Sequence, residues 1–467
     1  MTQQNTISGR ESSFLKGKIT LPLLKFTIPL ALTLAVQALY GAVDMIIVGQ
    51  LAESRDVSAV GTGSLIMQTV TAMIAGLTMG ITVRLGHSIG AKDWQVASQT
   101  ISGAIILFGI VALGLTTMMV PGAALLATLM RAPEAAFDKT VGYISICSFG
   151  IVFTVAYNVI TGIFRAAGNS KAPFFFIFIA CVCNILGDLF FVGILRAGAE
   201  GTAYATVIAQ AIGVLVSLQF LRKAKLPIHD IRKNFLNSMT AMREILKVGI
   251  PIASQELLNY ASFMILAAII NSMGLMASVA MGIEGKVFSF FILPPVAFMS
   301  ALSAFVAQNI GAKQHARAVL ALKRGIICAF SCGIISFLIA FFWGEAVAGI
   351  FDKNPIAVNA TAGMLKGAAF EHLIYPFVFC FLGYFNGRAM TVFVMLQGVI
   401  CAFVVRIPLA WLLQKTECHD LFMIGLTLSA SAAVSLILCL GYYYHLFPDV
   451  GKFIFGERKC RRKIEAN

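Results

Sequence analysis

The sequence KFTIPLA at residues 25–31 recurs as KVGIPIA at residues 247–253, which is 222 positions further along the chain. The sequence IGAK at residues 89–92 recurs unchanged at residues 310–313, after an interval of 221 positions. The segment that joins the two motifs is apolar in both copies. The sequence therefore predicts an internal duplication. Duplicated halves in a membrane protein are typical of secondary transporters, in which the substrate path lies between the halves.

The composition is that of a protein that lies within a lipid bilayer. Of the 467 residues, 59% are hydrophobic and only 12% are charged, whereas a typical soluble protein is about 25% charged. The apolar residues form runs of about 20 or more, the length that an α-helix needs to cross a bilayer. A soluble chain of this length would need a polar surface that this composition does not supply. We therefore predict an all-α membrane protein.

Twelve apolar segments predict twelve transmembrane helices, arranged as two pseudo-symmetric six-helix lobes. The predicted spans are residues 21–50, 57–83, 98–120, 141–164, 173–195, 201–221, 244–271, 276–306, 320–343, 363–386, 391–414 and 421–446. The predicted organisation is a cytoplasmic tail at 1–20, a first lobe at 21–221, a cytoplasmic linker at 222–243, a second lobe at 244–446 and a basic cytoplasmic tail at 447–467.

Basic residues are concentrated on one predicted side of the membrane. When residues near the ends of each span are counted with the adjacent loop, the side with both termini and the linker carries 26 Lys and Arg against 7 acidic residues, and the other side carries 7 against 9. Because basic loops remain in the cytoplasm, we predict a multi-pass protein of the cell (inner) membrane with both termini cytoplasmic. Each half then starts on the same side, so the repeat is parallel. This placement of the net charge of +14 also argues against a nucleic-acid partner.

Five acidic residues lie within predicted spans, where a charge costs about 2.5–3.5 kcal/mol on insertion scales. They are Asp44, Asp188, Glu256, Glu284 and Glu371. Such residues persist in membranes where they line a cavity, bind an ion or form a pair. They are therefore the first candidates for a functional site.

The first lobe brings several polar groups to a similar depth. At about 1.5 Å per residue, Asp44 and Thr206 lie roughly 9 Å and Asp188 roughly 12 Å inside the outer ends of their spans. Asn184 shares a helix face with Asp188, because the two are four residues apart. Carboxylate, amide and hydroxyl oxygens suit Na⁺ or a shared proton. The alternative is that these groups only form hydrogen bonds between helices.

The second lobe leaves two interpretations open. Glu284 and Glu371 lie in the outer half of their spans, as does Arg406, so the glutamates either line a cavity or pair with this arginine. Glu256 lies nearer the cytoplasmic end of span 7, where it either lines a cavity or is exposed to water. Lys286 does not share a helix face with Glu284, because the two are only two positions apart.

Prolines predict kinks in three spans. Pro29 and Pro251 each remove one helical hydrogen bond, and Pro294 with Pro295 should interrupt span 8 more strongly.

The order of several motifs resembles that of the multidrug and toxic compound extrusion (MATE) transporters. The resemblance covers residues 15–445. Its motifs are LYGAVDMIIVG at 39–49, GIFRAAGN at 162–169, Asn184 with Asp188, GTAYAT at 201–206 and QNIGAK at 308–313.

The resemblance implies an antiporter that exports organic cations or amphipathic compounds in exchange for Na⁺ or H⁺. We expect a monomer that works by alternating access of the two lobes. It implies a cation or proton site at Asp44, Asn184, Asp188 and Thr206, with no other cofactor or metal. It also suggests cavity-lining roles for Tyr40, Asn158, Glu256, Glu284, Glu371 and Tyr375. Some family members carry an acid on span 10 where this chain has Tyr375, with Glu371 one turn earlier. We therefore expect coupling in the first lobe.

Three other classes of membrane protein are alternatives to an antiporter. A lipid-linked saccharide flippase on a related scaffold is the main alternative, although the small number of buried Lys and Arg residues disfavours an anionic cargo. A membrane enzyme is not expected, because the sequence has no HExxH or GxSxG motif. An ion channel is not expected either, because no filter-like glycine repeat is present.

Overall fold

A computed structural model describes residues 14–224, 235–415 and 420–446. Within these residues the chain forms sixteen α-helices. They are α1 (Thr20–Leu51), α2 (Ser54–Gly90), α3 (Trp94–Leu129), α4 (Phe137–Phe149), α5 (Ile151–Ala166), α6 (Lys171–Asp188), α7 (Gly198–Lys223), α8 (Phe235–Asn271), α9 (Leu275–Phe291), α10 (Leu293–Gly311), α11 (His315–Phe342), α12 (Gly344–Phe351), α13 (Pro355–Gly387), α14 (Thr391–Val399), α15 (Ile407–Lys415) and α16 (Leu421–Leu446).

The helices supply the predicted number of membrane spans. Eleven helical stretches of the described chain are long and apolar enough to cross a bilayer, and a twelfth results if α4 and α5 count as one bent span. These two helices meet at an angle of 45°. The bend lies at Gly150, where an added Cβ would come within 2.7 Å of Val207 on α7. The prediction of an all-α membrane protein is therefore confirmed.

The predicted interruption of span 8 is present, whereas the kinks predicted at Pro29 and Pro251 stay predictions. Span 8 is interrupted at Ile292, between α9 and α10, and α10 begins with Pro294 and Pro295 near its first positions. Proline fits there because the first residues of a helix need no intrahelical partner for their N–H. By contrast, α1 and α8 remain helical through Pro29 and Pro251.

Two spans contain a wider helical turn that the sequence did not predict. A π-helical segment, Leu189–Ile194, continues α6 directly after Asp188. A second one, Ile400–Arg406, joins α14 to α15. Such turns are rare and often occur at functional sites. Each of them borders a buried charged residue, Asp188 in the first case and Arg406 in the second.

The chain divides into two compact units, and the boundary lies inside α8. The first unit comprises the segment ending at Gly17 and Lys25–Ala253, and the second comprises Lys18–Leu24 and the chain from Ser254 onward. Helix α8 already begins at Phe235, so residues 235–243 are helical although the sequence predicted them as part of the linker. Residues 225–234 of that linker, and the tails at 1–13 and 447–467, lie outside the described residues.

In the first unit, α2 is packed against α3, α4, α5 and α7. Its core includes Ile74, Ile81, Leu85, Phe108 and Ile151. The first part of α8 approaches the same helix so closely that a side chain at Gly80 would collide with the backbone of Ile245. Small residues permit this approach, as they commonly do between membrane helices.

In the second unit, α13 occupies the centre and packs against α9, α10, α11 and α16. Ser429 of α16 donates a hydrogen bond of 2.9 Å to the carbonyl oxygen of Gly367. Because α13 is surrounded in this way, its acidic residue Glu371 lies in the interior.

One carboxylate links three helices of the first unit. Asp56, at the start of α2, is buried, and Nζ of Lys139 on α4 lies 2.7 Å from both of its carboxylate oxygens. The backbone N–H of Ala199, near the start of α7, donates to Asp56 Oδ1 at 2.9 Å. This carboxylate therefore fixes the ends of α2, α4 and α7 relative to one another.

The variant Lys139→Met should lower the free energy of unfolding by about 3 kcal/mol, the lower end of the range for breaking a buried ion pair, because Lys139 is 31% exposed. Thermal unfolding of the purified protein in detergent measures this change. Arg55→Ala is the matched control, since Arg55 pairs with Glu53 in an exposed position and such pairs contribute about 0–1 kcal/mol. Equal stability of the two variants would contradict the linking role of Asp56.

Candidate cation-binding site

Three helices of the first unit bring five of the residues singled out in the sequence together. Helix α1 carries Tyr40 and Asp44 one turn apart, and α6 carries Asn184 and Asp188 with the same spacing. Helix α7 adds Thr206. Residues four apart lie on one helix face, so each pair projects in a common direction. We call these five residues the first-unit cluster.

The members of the first-unit cluster contact one another. Asn184 Nδ2 donates to Thr206 Oγ1 at 3.5 Å, and the Tyr40 hydroxyl lies close to the same threonine. The Asp44 carboxyl lies close to both Asp188 and Asn184. The depth estimate from the sequence therefore identified groups that are neighbours in space.

The carboxyl groups of the cluster are withdrawn from solvent. Asp44 is 5% exposed, and Asn184 and Asp188 are fully buried. Apolar side chains surround them, among them Ile47, Val48 and Val192. In such surroundings two like charges repel strongly, because little solvent screens them.

Several oxygen atoms of the cluster have no hydrogen-bond partner. They are Asp44 Oδ1, both carboxylate oxygens of Asp188, Asn184 Oδ1 and the Tyr40 hydroxyl. A buried polar atom without a partner costs about 1–3 kcal/mol. None of the groups that interact with the two aspartates in the described chain is a lysine or arginine. The cluster therefore has acceptor oxygens and negative charge for a small cation or a proton.

Local packing explains why α6 and α7 present these groups to each other. An added Cβ at Gly187 would lie 3.0 Å from Cβ of Ala205, so the two helices approach closely beside Asn184 and Thr206. Asp188 is the last residue before the π-helical segment. The π-helical segment thus begins directly after the buried carboxylate of Asp188.

Helix α4 supplies two neighbours that the sequence did not single out. Tyr143 and Cys147 are buried, and Tyr143 lies close to Cys147, Asp44 and Tyr40. They close one side of the cluster with neutral groups. No charge or motif distinguishes them, and only the packing of α4 against α7 reveals their position.

Asn158, predicted as a lining residue, is not among the described neighbours of the cluster. It is buried on α5, and its Nδ2 donates to the carbonyl oxygen of Thr154 on the same helix at 2.8 Å. Thr154 in turn donates to Gln210 on α7. The described hydrogen bond of Asn158 therefore lies within α5, and its predicted lining role stays a prediction.

In the second unit, the structure separates the predicted residues into two groups. Glu284, Glu371 and Tyr375 are buried close to Arg406. Glu256 is only partly buried, and its described neighbour is Tyr260, one turn later on α8. Both Glu284 and Glu371 lie near Arg406, but no ion pair of the described chain joins either of them to it. The two interpretations of the second lobe, a cavity lining or a pair with Arg406, therefore stay predictions.

The fold defines a membrane protein with many spans, and each of its two halves contains buried acidic residues. A family model described as MatE matches residues 29–190 and again residues 251–412, once in each half. The two matches begin at Pro29 and Pro251, the prolines of the repeated motif. The chain therefore belongs to the MatE family, which consists of transporters and not of enzymes.

Known proteins resemble the chain over nearly its full length. A relative from Bacillus subtilis, the probable multidrug resistance protein YpnP, is 28% identical over 438 residues, which are 92% of this chain and 96% of that protein. The multidrug export protein MepA of Staphylococcus saprophyticus is 23% identical over 83% of this chain and 86% of its own length. An outward-facing structure of a multidrug resistance MATE family transporter has a TM-score of 0.88 and 20% identity, and covers 95% of this chain and 100% of its own. At that identity the structural likeness shows the fold alone.

The contact between α6 and α7 predicts a specific cross-link. In a cysteine-free background, Asn184→Cys combined with Thr206→Cys should be joined by a short bifunctional thiol reagent, because the two native side chains are in hydrogen-bonding contact. Cleavage at a protease site placed in the loop at 195–197 shows whether the fragments remain connected. Val182→Cys with Thr206→Cys is the control, since Val182 is exposed on another face of α6. Equal cross-linking of both pairs would contradict the geometry.

Proposed function

We propose that the protein is a secondary active antiporter that exports organic cations or amphipathic drugs in exchange for Na⁺ or H⁺. The observation that carries this proposal is the set of buried, unpartnered oxygen atoms on Asp44, Asn184 and Asp188. The names of the relatives, a multidrug resistance protein and a multidrug export protein, support a drug-like substrate for this chain as well.

The coupling ion would act by cancelling charge within the first-unit cluster. Two neighbouring carboxylates in a medium of low dielectric constant are unfavourable. A Na⁺ held by Asp44, Asn184, Asp188 and Thr206, or a proton shared between the two aspartates, removes this repulsion. Oxygen donors of this kind suit hard cations.

Exchange follows if the ion and the drug favour different states of the transporter. In the proposed cycle the two lobes alternate in exposing the substrate path to the cytoplasm and to the outside. An ion that enters the cluster from outside favours release of the drug, and binding of the next drug from the cytoplasm requires an empty cluster. Such coupling requires that each ligand binds the two states with different affinities.

Helix α1 is suited to connect the cluster with this change. Pro29 removes one hydrogen bond of the helix, and Thr33 Oγ1 donates to the Pro29 carbonyl oxygen at 2.8 Å. A side-chain bond of this type favours bending of a helix. In this proposal, α1 bends near Pro29 when the charge on Asp44 changes.

The proposed membrane topology of the protein follows from the distribution of its basic residues. Both tails and the linker at 222–243 are placed in the cytoplasm, the lobes comprise residues 21–221 and 244–446, and one chain suffices for transport. The excess of 26 basic over 7 acidic residues on that side supports this orientation.

Asp44→Asn and Asp188→Asn should each reduce ethidium export from loaded proteoliposomes to the rate of protein-free vesicles. Each variant leaves the shape of the side chain but removes one of the two charges that hold the ion. Insertion, measured by size-exclusion chromatography of the protein re-extracted from the vesicles, should be normal. Glu345→Gln is the control, because Glu345 is exposed on α12. Wild-type export by Asp44→Asn would contradict the proposal.

The same vesicles identify the coupling ion. A Na⁺ gradient and a pH gradient are imposed separately, and one of them should accelerate ethidium export by the wild type while neither accelerates export by Asp44→Asn. A headgroup-labelled, lipid-linked saccharide offered under the same conditions tests the flippase alternative. Movement of that lipid without movement of ethidium would favour the alternative.

A further inference from the structure

A row of polar side chains on α5 does not belong to the first-unit cluster. Tyr157, Thr161 and Arg165 follow one another at intervals of four residues, so they lie on one face of the helix. Tyr157 lies close to both of the other side chains. Arg165 belongs to the motif GIFRAAGN at 162–169, which the proposed transport mechanism does not use. We call these three residues the α5 row.

Each member of the α5 row has a polar atom that is buried without a hydrogen-bond partner. These atoms are the Tyr157 hydroxyl oxygen, Thr161 Oγ1 and Arg165 Nε. Thr161 is 1% exposed, whereas Arg165 as a whole keeps part of its surface accessible. All three groups can donate a hydrogen bond, and a guanidinium stays charged in proteins. The row thus combines three donors that lack an acceptor with one permanent positive charge.

No carboxylate of the described chain compensates Arg165. Among the titratable groups there, Tyr157 is the one that interacts with this arginine, and no ion pair of the described residues includes it. Two acidic residues of the first unit on the predicted cytoplasmic side are engaged elsewhere, because Asp93 caps the start of α3 and Glu244 pairs with Arg84. A partly buried charge without a counter-charge is unfavourable.

The second half shows that the fold does not require the α5 row. The turns after α5 and α13 correspond at the interval of 221 positions that separates the IGAK motifs, because Gly168 and Ala389 both have a positive φ, of 76° and 59°. At this interval the positions of the row hold Val378, Leu382 and Asn386, none of which is charged. The row is therefore a feature of the first half and not a requirement of helix packing.

The second half also shows how an arginine near this turn is satisfied when the chain supplies a partner. Arg388 lies two positions after Asn386, and its Nη1 donates to the Tyr384 hydroxyl at 3.0 Å. Its guanidinium also lies over the ring of the same tyrosine. Within the described residues, Arg165 has no corresponding bond, so its partner has to come from outside the chain.

We propose that the α5 row is a binding site for one chloride ion. The ion accepts hydrogen bonds from the Tyr157 hydroxyl, Thr161 Oγ1 and Arg165 Nε, and its charge balances the guanidinium. The partial exposure of Arg165 gives the ion a path of entry, at the end of α5 that the proposed topology places on the cytoplasmic side.

Charge and size favour chloride over larger anions. One guanidinium balances a single negative charge, so sulfate or a phosphate monoester would leave an uncompensated charge beside buried groups. A monatomic anion accepts hydrogen bonds from several directions at once and needs little space between the three buried donor atoms. The site is opposite in sign to the first-unit cluster, and it neutralises this end of α5 independently of the coupling ion.

Thermal unfolding of the full chain in detergent tests this proposal without any transport assay. Sodium gluconate is replaced stepwise by sodium chloride, so that the Na⁺ concentration and the ionic strength stay constant and the first-unit cluster is not affected. The unfolding midpoint of the wild type should rise to a plateau, by roughly 3 °C at a chloride concentration one hundred times the dissociation constant. Bromide should act like chloride, and sulfate at equal ionic strength should not.

Two variants assign this effect to the α5 row. Arg165→Gln should abolish the chloride-dependent rise, and Thr161→Val should raise the dissociation constant about tenfold, because it removes one hydrogen bond to a charged group. Thr161→Val keeps the shape of the side chain and the positive charge, so it tests the site even if Arg165→Gln does not fold. The matched controls are Arg222→Gln on α7 and Thr117→Val on α3, both at exposed positions, which should keep the full rise.

Two further measurements identify the occupant. Crystals soaked in sodium bromide should show an anomalous peak beside Arg165 and Thr161. Nanodiscs of phosphatidylcholine with and without phosphatidylglycerol test a lipid headgroup in its place. Stabilisation of the wild type by phosphatidylglycerol that is lost in Arg165→Gln, without any response to chloride, would assign the row to a phospholipid phosphate and overturn the proposal. A wild type without a saturable chloride effect, or an undiminished effect in Arg165→Gln or Thr161→Val, would overturn it as well.

Discussion

The structure depends on how negative charge is tolerated in an interior that water does not screen. In the first unit, Asp44 and Asp188 face each other with unpartnered oxygens, and no basic side chain interacts with them in the described chain. In the second unit, Glu284 and Glu371 lie in comparable surroundings, but a buried guanidinium accompanies them. The duplicated halves therefore solve the same electrostatic problem in two ways. The first pair of acids has no basic partner among the described residues, and the second pair lies near a basic side chain.

This difference bears on the symmetry of the protein. The repeated motifs and the two matches to one family model show that the halves share an origin. Their polar interiors have nevertheless diverged, because Arg406 has no basic counterpart beside Asp44 or Asp188. Two halves with one fold therefore differ in the charge of their buried polar groups.

The sequence predicted the fold well because the governing signals are long and repetitive. Apolar runs of about 20 residues and the distribution of lysine and arginine do not depend on fine packing, so the twelve spans could be predicted. The closeness of Asp44, Asn184, Asp188 and Thr206 could also be predicted, because depth in a span and helical spacing follow directly from residue number. The positions of Tyr143 and Cys147 were not, because they depend on how α4 packs against its neighbours. The early start of α8 was missed because Asn237, Ser238, Thr240 and Arg243 make its first turns more polar than a membrane span.

The π-helical segments have a further consequence for the two polar sites. A π turn accommodates about one extra residue, which rotates the chain that follows by roughly 100° relative to a regular α-helix. The part of span 5 that carries Asn184 and Asp188 is therefore out of phase with Leu189–Ile194. Insertion or removal of a residue at this turn re-aims the C-terminal end of the helix, whereas the part that carries Asn184 and Asp188 keeps its direction. The segment Ile400–Arg406 separates α14 from α15 in the same way, so the direction of Arg406 depends on that turn.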